Sequence, residues 1–121
     1  MKRRYIFLSL LILLTVIITP VSYAQQAERF NNAITDFETK LNAYEAKVNV
    51  ETSRNILETL HSEANSAWIW LVDLMAYLGM IGMEIPHTTE ISISSMHDRL
   101  KESRAVQTKR ISSGEVKYED T

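Results

Sequence analysis

Two Glu-x-x-His patterns are the first residues in this chain whose types and spacing could do chemistry: Glu58-Thr59-Leu60-His61 and Glu84-Ile85-Pro86-His87. On a helix this spacing sets a carboxylate and an imidazole on one face, as in helical di-iron sites. The first pair meets that condition. In the second, Pro86 disrupts the helix that would present it. A di-iron site also needs glutamates aimed inward from other helices, and the acids of the preceding segment lie on its polar face. Glu58 therefore reads as solvated and His61 as a boundary histidine, with no metal and no cofactor expected. His97 and Asp98 are neighbours in sequence, so on a helix they point about 100° apart and form no relay. Ser92, Ser94 and Ser95 lack a Gly-x-Ser-x-Gly elbow. No phosphate, dinucleotide or Ca²⁺ loop is present. With no cysteine, thiol chemistry is excluded. No catalytic residue is nominated and the chain reads as a non-enzyme, a metal-dependent activity being the remaining enzymatic alternative.

A second constellation suits recognition rather than reaction. Trp68, Trp70, Asp73, Tyr77, Met80 and Met83 fall in one stretch whose only charge between Ala67 and Met83 is Asp73. Asp73 lines up with Trp70 and Tyr77 at helical spacings of three and four. A carboxylate among aromatics can pair with a partner's Lys or Arg at an interface; the plainer expectation is a hydrogen bond from Tyr77. Buried without a partner it would be costly and would tend to protonate, so Asp73 must reach solvent or be paired. The methionines add an adaptable surface, or plain core.

These residues must be carried by helices. From Gln25 to Val48 the large apolar residues are Phe30, Ile34, Phe37, Leu41, Tyr44 and Val48, in steps of four and three. That alternation marks a helix packed along its length on another. Asn49 to Ser53 breaks the seam. Thr52 or Ser53 can cap the next helix, with Val50 as a hydrophobic staple. The second helix is predicted from about Ser53 to Gly79 or Gly82. It begins amphipathic and becomes apolar all round, which requires burial or lipid. Its stripe of Leu57, Leu60, Ala64, Trp68, Leu71, Met75 and Leu78 should face the first seam. Pro86 stops it. A third helix, capped by Thr88 or Thr89, is expected from Glu90 to about Arg110 with Ile93, Met96, Leu100 and Val106 inward. Ile91-Ser92-Ile93-Ser94 alternates like a short strand instead. Residues 112–121 lack apolar periodicity and are expected to be disordered.

As a bilayer span, Ala67–Met83 is marginal. Its Leu, Ile and Val residues contribute roughly −2 to −4 kcal/mol, and a central Asp73 costs about +2.5 to +3.5.

The N-terminus fixes the compartment. Lys2-Arg3-Arg4, the apolar run from Tyr5 to Ile18, Pro20 and the Ser22-x-Ala24 site are the parts of a secretory signal peptide. The run is short for a membrane span. Pro20 is expected to end the leader helix, with cleavage after Ala24. The mature chain then holds 10 basic and 15 acidic residues. An acidic domain argues against a nucleic-acid partner. Absence of cysteine and of Asn-x-Ser/Thr acceptors points to a bacterial periplasmic or secreted protein.

The expected architecture is all-α: a signal peptide over 1–24, then a helical domain over 25–111. A long antiparallel hairpin carries a shorter third helix across it, followed by the tail 112–121. The function expected is protein–protein interaction, with an unidentified partner or as a homodimer. Membrane association of 67–83 and carriage of a lipophilic ligand between helices are the alternatives.

Overall fold

The computed structural model describes the backbone of residues 7–118 and the side chains from Tyr23 onward. Three helices follow one another: α1 (Phe7–Val48), α2 (Arg54–Met80) and α3 (His87–Ser112). They form a small bundle in which α1 and α2 pack most closely. The expected all-α hairpin with a third helix is what the chain adopts. Ile91–Ser94 is helical rather than a strand.

Pro20 does not end the first helix, as had been expected; α1 runs through it and through Ala24 without a break. A proline inside a helix forfeits one intrahelical bond and crowds the preceding turn, which weakens or kinks a helix without always ending it. Residues 1–6, the charged start of the expected signal peptide, lie outside the described residues.

The inward positions of α1 are Gln26, Phe30, Ala33, Phe37, Leu41, Tyr44 and Val48. The steps of three and four keep one stripe on the partner helices. Opposite it, α2 buries Leu57, Ala64, Ala67, Leu71, Leu74 and Leu78. Leu60, Trp68 and Met75, expected in that stripe, are only partly buried at its edges. The face is rotated toward Ala67 and Leu74, both buried. Helix α3 buries Ile93, Met96, Leu100, Ser103 and Gln107. Val106, expected inward, is partly buried against the core, and the fully buried stripe ends on two polar residues.

Local chemistry accounts for the helix ends. Ser53 caps α2, its hydroxyl accepting the Ile56 N–H at 3.3 Å. The Glu51 carboxylate accepts the Thr52 and Ser53 N–H groups at 3.1 Å each. Val50 is 67% exposed and is no staple. At the end of α2, Met83 N–H donates to Leu78 O at 2.9 Å and Gly82 N–H to Gly79 O at 3.2 Å. Gly82 has φ +83°, the left-handed geometry this double closure needs. Pro86, not Thr88 or Thr89, stands before α3, and its carbonyl accepts from Thr89 and Glu90.

Residues 113–118, expected to be disordered, fold back onto the hairpin turn. Gly114, at φ +84°, reverses the chain. Lys117 N–H then donates to Thr52 O at 3.1 Å, and Arg54 N–H to Lys117 O at 2.8 Å, forming one parallel bridge. Val116 is 2% exposed and joins the core. The guanidinium of Arg54 lies 4.5 Å from the Tyr118 ring centre. From Arg110, Nη1 donates to the carbonyls of Val48 and Glu51, each at 2.7 Å. One apolar residue and a few backbone bonds order this segment, too little to register as periodicity. Residues 119–121 lie outside the described residues.

Candidate interaction surface

The six residues nominated for recognition do not form one surface. Trp68 turns inward. Its ring stacks on His97 at 3.9 Å, with 9° between the planes, and lies 5.4 Å from Phe37. It thus joins all three helices. Met83 packs against the core and lines a separate hollow with Ala27, Phe30 and Pro86. Trp70, Asp73 and Tyr77 do come together. With Arg29 and Leu74 they line a shallow, mostly apolar groove of about 230 Å³. Arg29 comes from α1, and its guanidinium lies 5.7 Å from the Trp70 ring centre.

Trp70 is 49% exposed and Met80 84%. Ile69, Val72 and Tyr77 are exposed beside them. Single exposed apolar residues are ordinary; here several share one helix face. The cause is geometric. This half of α2 is apolar all round, while α1 and α3 cover only part of its circumference. Asp73 reaches solvent in the middle of the set and makes no ion pair among the described residues. Arg29 donates to Gln26 Oε1 at 3.0 Å and is likewise without an ion pair among them. Sequence periodicity brought Trp70, Asp73 and Tyr77 to one face but could not supply Arg29, which arrives from another helix.

The two Glu-x-x-His pairs have different fates. Glu84 lies in the α2–α3 connection and His87 opens α3, where its Nδ1 lies 3.7 Å from Glu90. Glu58 is not simply solvated. Its carboxylate accepts from Arg104 Nη1 at 3.1 Å and from Gln107 Nε2 at 3.2 Å. Gln107 is 0% exposed, and its Oε1 accepts from the Tyr44 hydroxyl. His61 meets Tyr44 edge to face at 5.4 Å. Side chains from all three helices thus form one polar cluster in the bundle. Burial pushes the Tyr44 phenol up to about 12. Burial, then the Arg104 charge, holds His61 below its ordinary value. These shifts keep both rings neutral near pH 7, as packed structural groups are. The signal for Gln107 and Ser103 was the α3 stripe continued at steps of three and four past Leu100.

His97 and Asp98 do not act together: His97 is stacked on Trp68, and Asp98 lies 3.5 Å from Lys101. Among the described residues, no three His, Asp or Glu side chains are placed to hold a metal ion. In the part of the chain whose side chains are described, no helix is long and apolar enough to cross a membrane. Comparisons with protein-family models, curated proteins and solved structures find no match for this chain.

Proposed function

We propose that this is a non-enzymatic exported helical protein that acts by binding another protein chain through the outer face of α2. The observation that carries this reading is the exposed set Ile69, Trp70, Val72, Tyr77 and Met80 around Asp73, which makes no ion pair among the described residues. Aromatic and Met side chains are enriched at interface centres, and a carboxylate among them gives register to an incoming cation. The basic start, apolar run and Ser22-x-Ala24 site support export with cleavage after Ala24. An inhibitor, an accessory factor and an assembly subunit all fit this chemistry.

Site-specific photocrosslinking in exporting cells tests the reading. A photoreactive side chain at Met80 or Ile69 is expected to give discrete protein adducts. The same probe at Glu102, exposed on α3, should give none. Equal labelling from both faces, or none from α2, would reject it. Labelling of lipid alone from Met80 would favour membrane association instead. Intact-mass measurement of the exported protein should place its first residue at Gln25.

A further inference from the structure

The outer face of α2 carries both signs of charge within one groove. Asp73 stands on α2 and Arg29 on α1, both lining it beside Trp70 and Tyr77. Neither makes an ion pair among the described residues. A surface that holds an apolar strip, a cation and an anion, neither ion-paired among the described residues, is complementary to itself. That is the condition an isologous two-fold contact demands, because the same patch must serve both subunits.

An isologous contact that seats this groove face on its own copy brings Arg29 of each subunit to Asp73 of the partner subunit, so that both charges are paired, twice. Arg29 is positioned for this by Trp70 and Gln26.

We infer that the occupant of this groove face is a second copy of this chain, docked face to face about a two-fold axis with Arg29 of each subunit paired to Asp73 of the other. This deepens the proposed interaction function and rests on the same face. The exposed Ile69, Val72 and Met80 become the apolar centre of the contact. The two ion pairs form its register, since sliding the helices by one turn separates both.

The test uses protein recovered from cells that export it, with oligomeric state read by sedimentation equilibrium and native mass spectrometry. The unsubstituted chain is expected to be a dimer at micromolar concentration. Arg29→Glu places two acids in each groove, and Asp73→Arg places two bases. Each alone should weaken self-association by roughly tenfold or more, with helical content and cooperative melting retained. Mixing the two variants provides the decisive result. At one site of a mixed dimer, the acid introduced at position 29 of one chain meets the base introduced at position 73 of the other. At the second site the original Arg29 meets the original Asp73. Both cross-subunit pairs are therefore restored, while positions 29 and 73 within each chain still carry like charges. Isotope-labelled mixtures should give mixed dimers in large excess over either homodimer. Pairing of Arg29 with Asp73 inside one chain predicts no such rescue. Should either charge variant fail to fold, Ile69→Lys, at an exposed position, should still break the dimer. A monomeric unsubstituted chain at hundreds of micromolar, or a dimer indifferent to all three substitutions, would overturn the inference. In the monomeric case, protein adducts from Met80 would leave the interaction reading standing with a different partner. If neither dimer nor adduct is found, both readings fall.

Discussion

Replacing Tyr44 by Phe removes a single hydroxyl from the middle of the bundle, and the surrounding geometry sets the expected cost. The hydroxyl donates to Gln107 Oε1, with the Ser103 carbonyl at 3.4 Å as a second, poorer acceptor. Gln107 Oε1 would keep only Arg104 Nη1, at 3.3 Å. Loss of one buried neutral bond with partial compensation costs about 1–2 kcal/mol. Gln107→Leu is expected to cost more, about 2–3 kcal/mol, because it leaves the buried Tyr44 hydroxyl with only the Ser103 carbonyl and takes a donor from Glu58. The two groups are direct partners, so the double variant should lose roughly 1 kcal/mol less than the sum of the singles. Urea titration followed by circular dichroism measures all three, and melting temperature should fall by about 4–8 °C per kcal/mol in a domain of this size. A pH series adds an independent check. With the phenol raised to about 12 in the fold against 10 when unfolded, the stability gained from keeping Tyr44 neutral is fully present below pH 10. It is lost as the pH rises toward 12, because the unfolded chain ionises first. The advantage of the unsubstituted chain over Tyr44→Phe should shrink across that window. Additive singles, a neutral Tyr44→Phe, or an advantage that stays constant from pH 9 to 12 would refute the proposed coupling.

Other consequences can be measured on the same protein. His61 is held below 6.5 by burial and by Arg104, and His97 by burial and then Lys101; their NMR titrations should both have midpoints below that value. Stability from these two groups is then present above pH 6.5 and falls as the pH drops below it, so His61→Gln should flatten the acid limb of the stability curve. Val116→Ala removes buried methyl groups from the folded-back segment and should cost about 1–2 kcal/mol, whereas a disordered tail would give no change. Arg110→Lys keeps the charge but loses the planar Nη1 group whose two N–H bonds meet the Val48 and Glu51 carbonyls, and should destabilise by about 1–3 kcal/mol in denaturant titration.

Periodicity exposed most of the fold because long helices repeat their burial pattern many times. Phe30, Phe37, Leu41, Tyr44 and Val48 announce α1 by spacing alone, and all are buried. The shortfall arose where one residue had to speak for itself. Val116 is a lone apolar residue after Gly114, and no pattern surrounds it. Gln107 and Ser103 are polar, so an apolar stripe passes over them, although their spacing from Leu100 continues it. Trp68 and Trp70 look equivalent in sequence, yet a turn of about 200° between them sends one to His97 and Phe37 and the other to the groove. Arg29 belongs to the site only through tertiary packing, since it stands on a different helix far back along the chain.

The return of residues 113–118 to the hairpin turn bears on when the molecule can finish folding. The carbonyls of Val48, Glu51 and Thr52 wait for donors from Arg110 and Lys117. A chain threading N-terminus first through a secretion channel would have its hairpin on the far side before those donors emerge. In such a chain these bonds would close last, after the C-terminal segment had arrived.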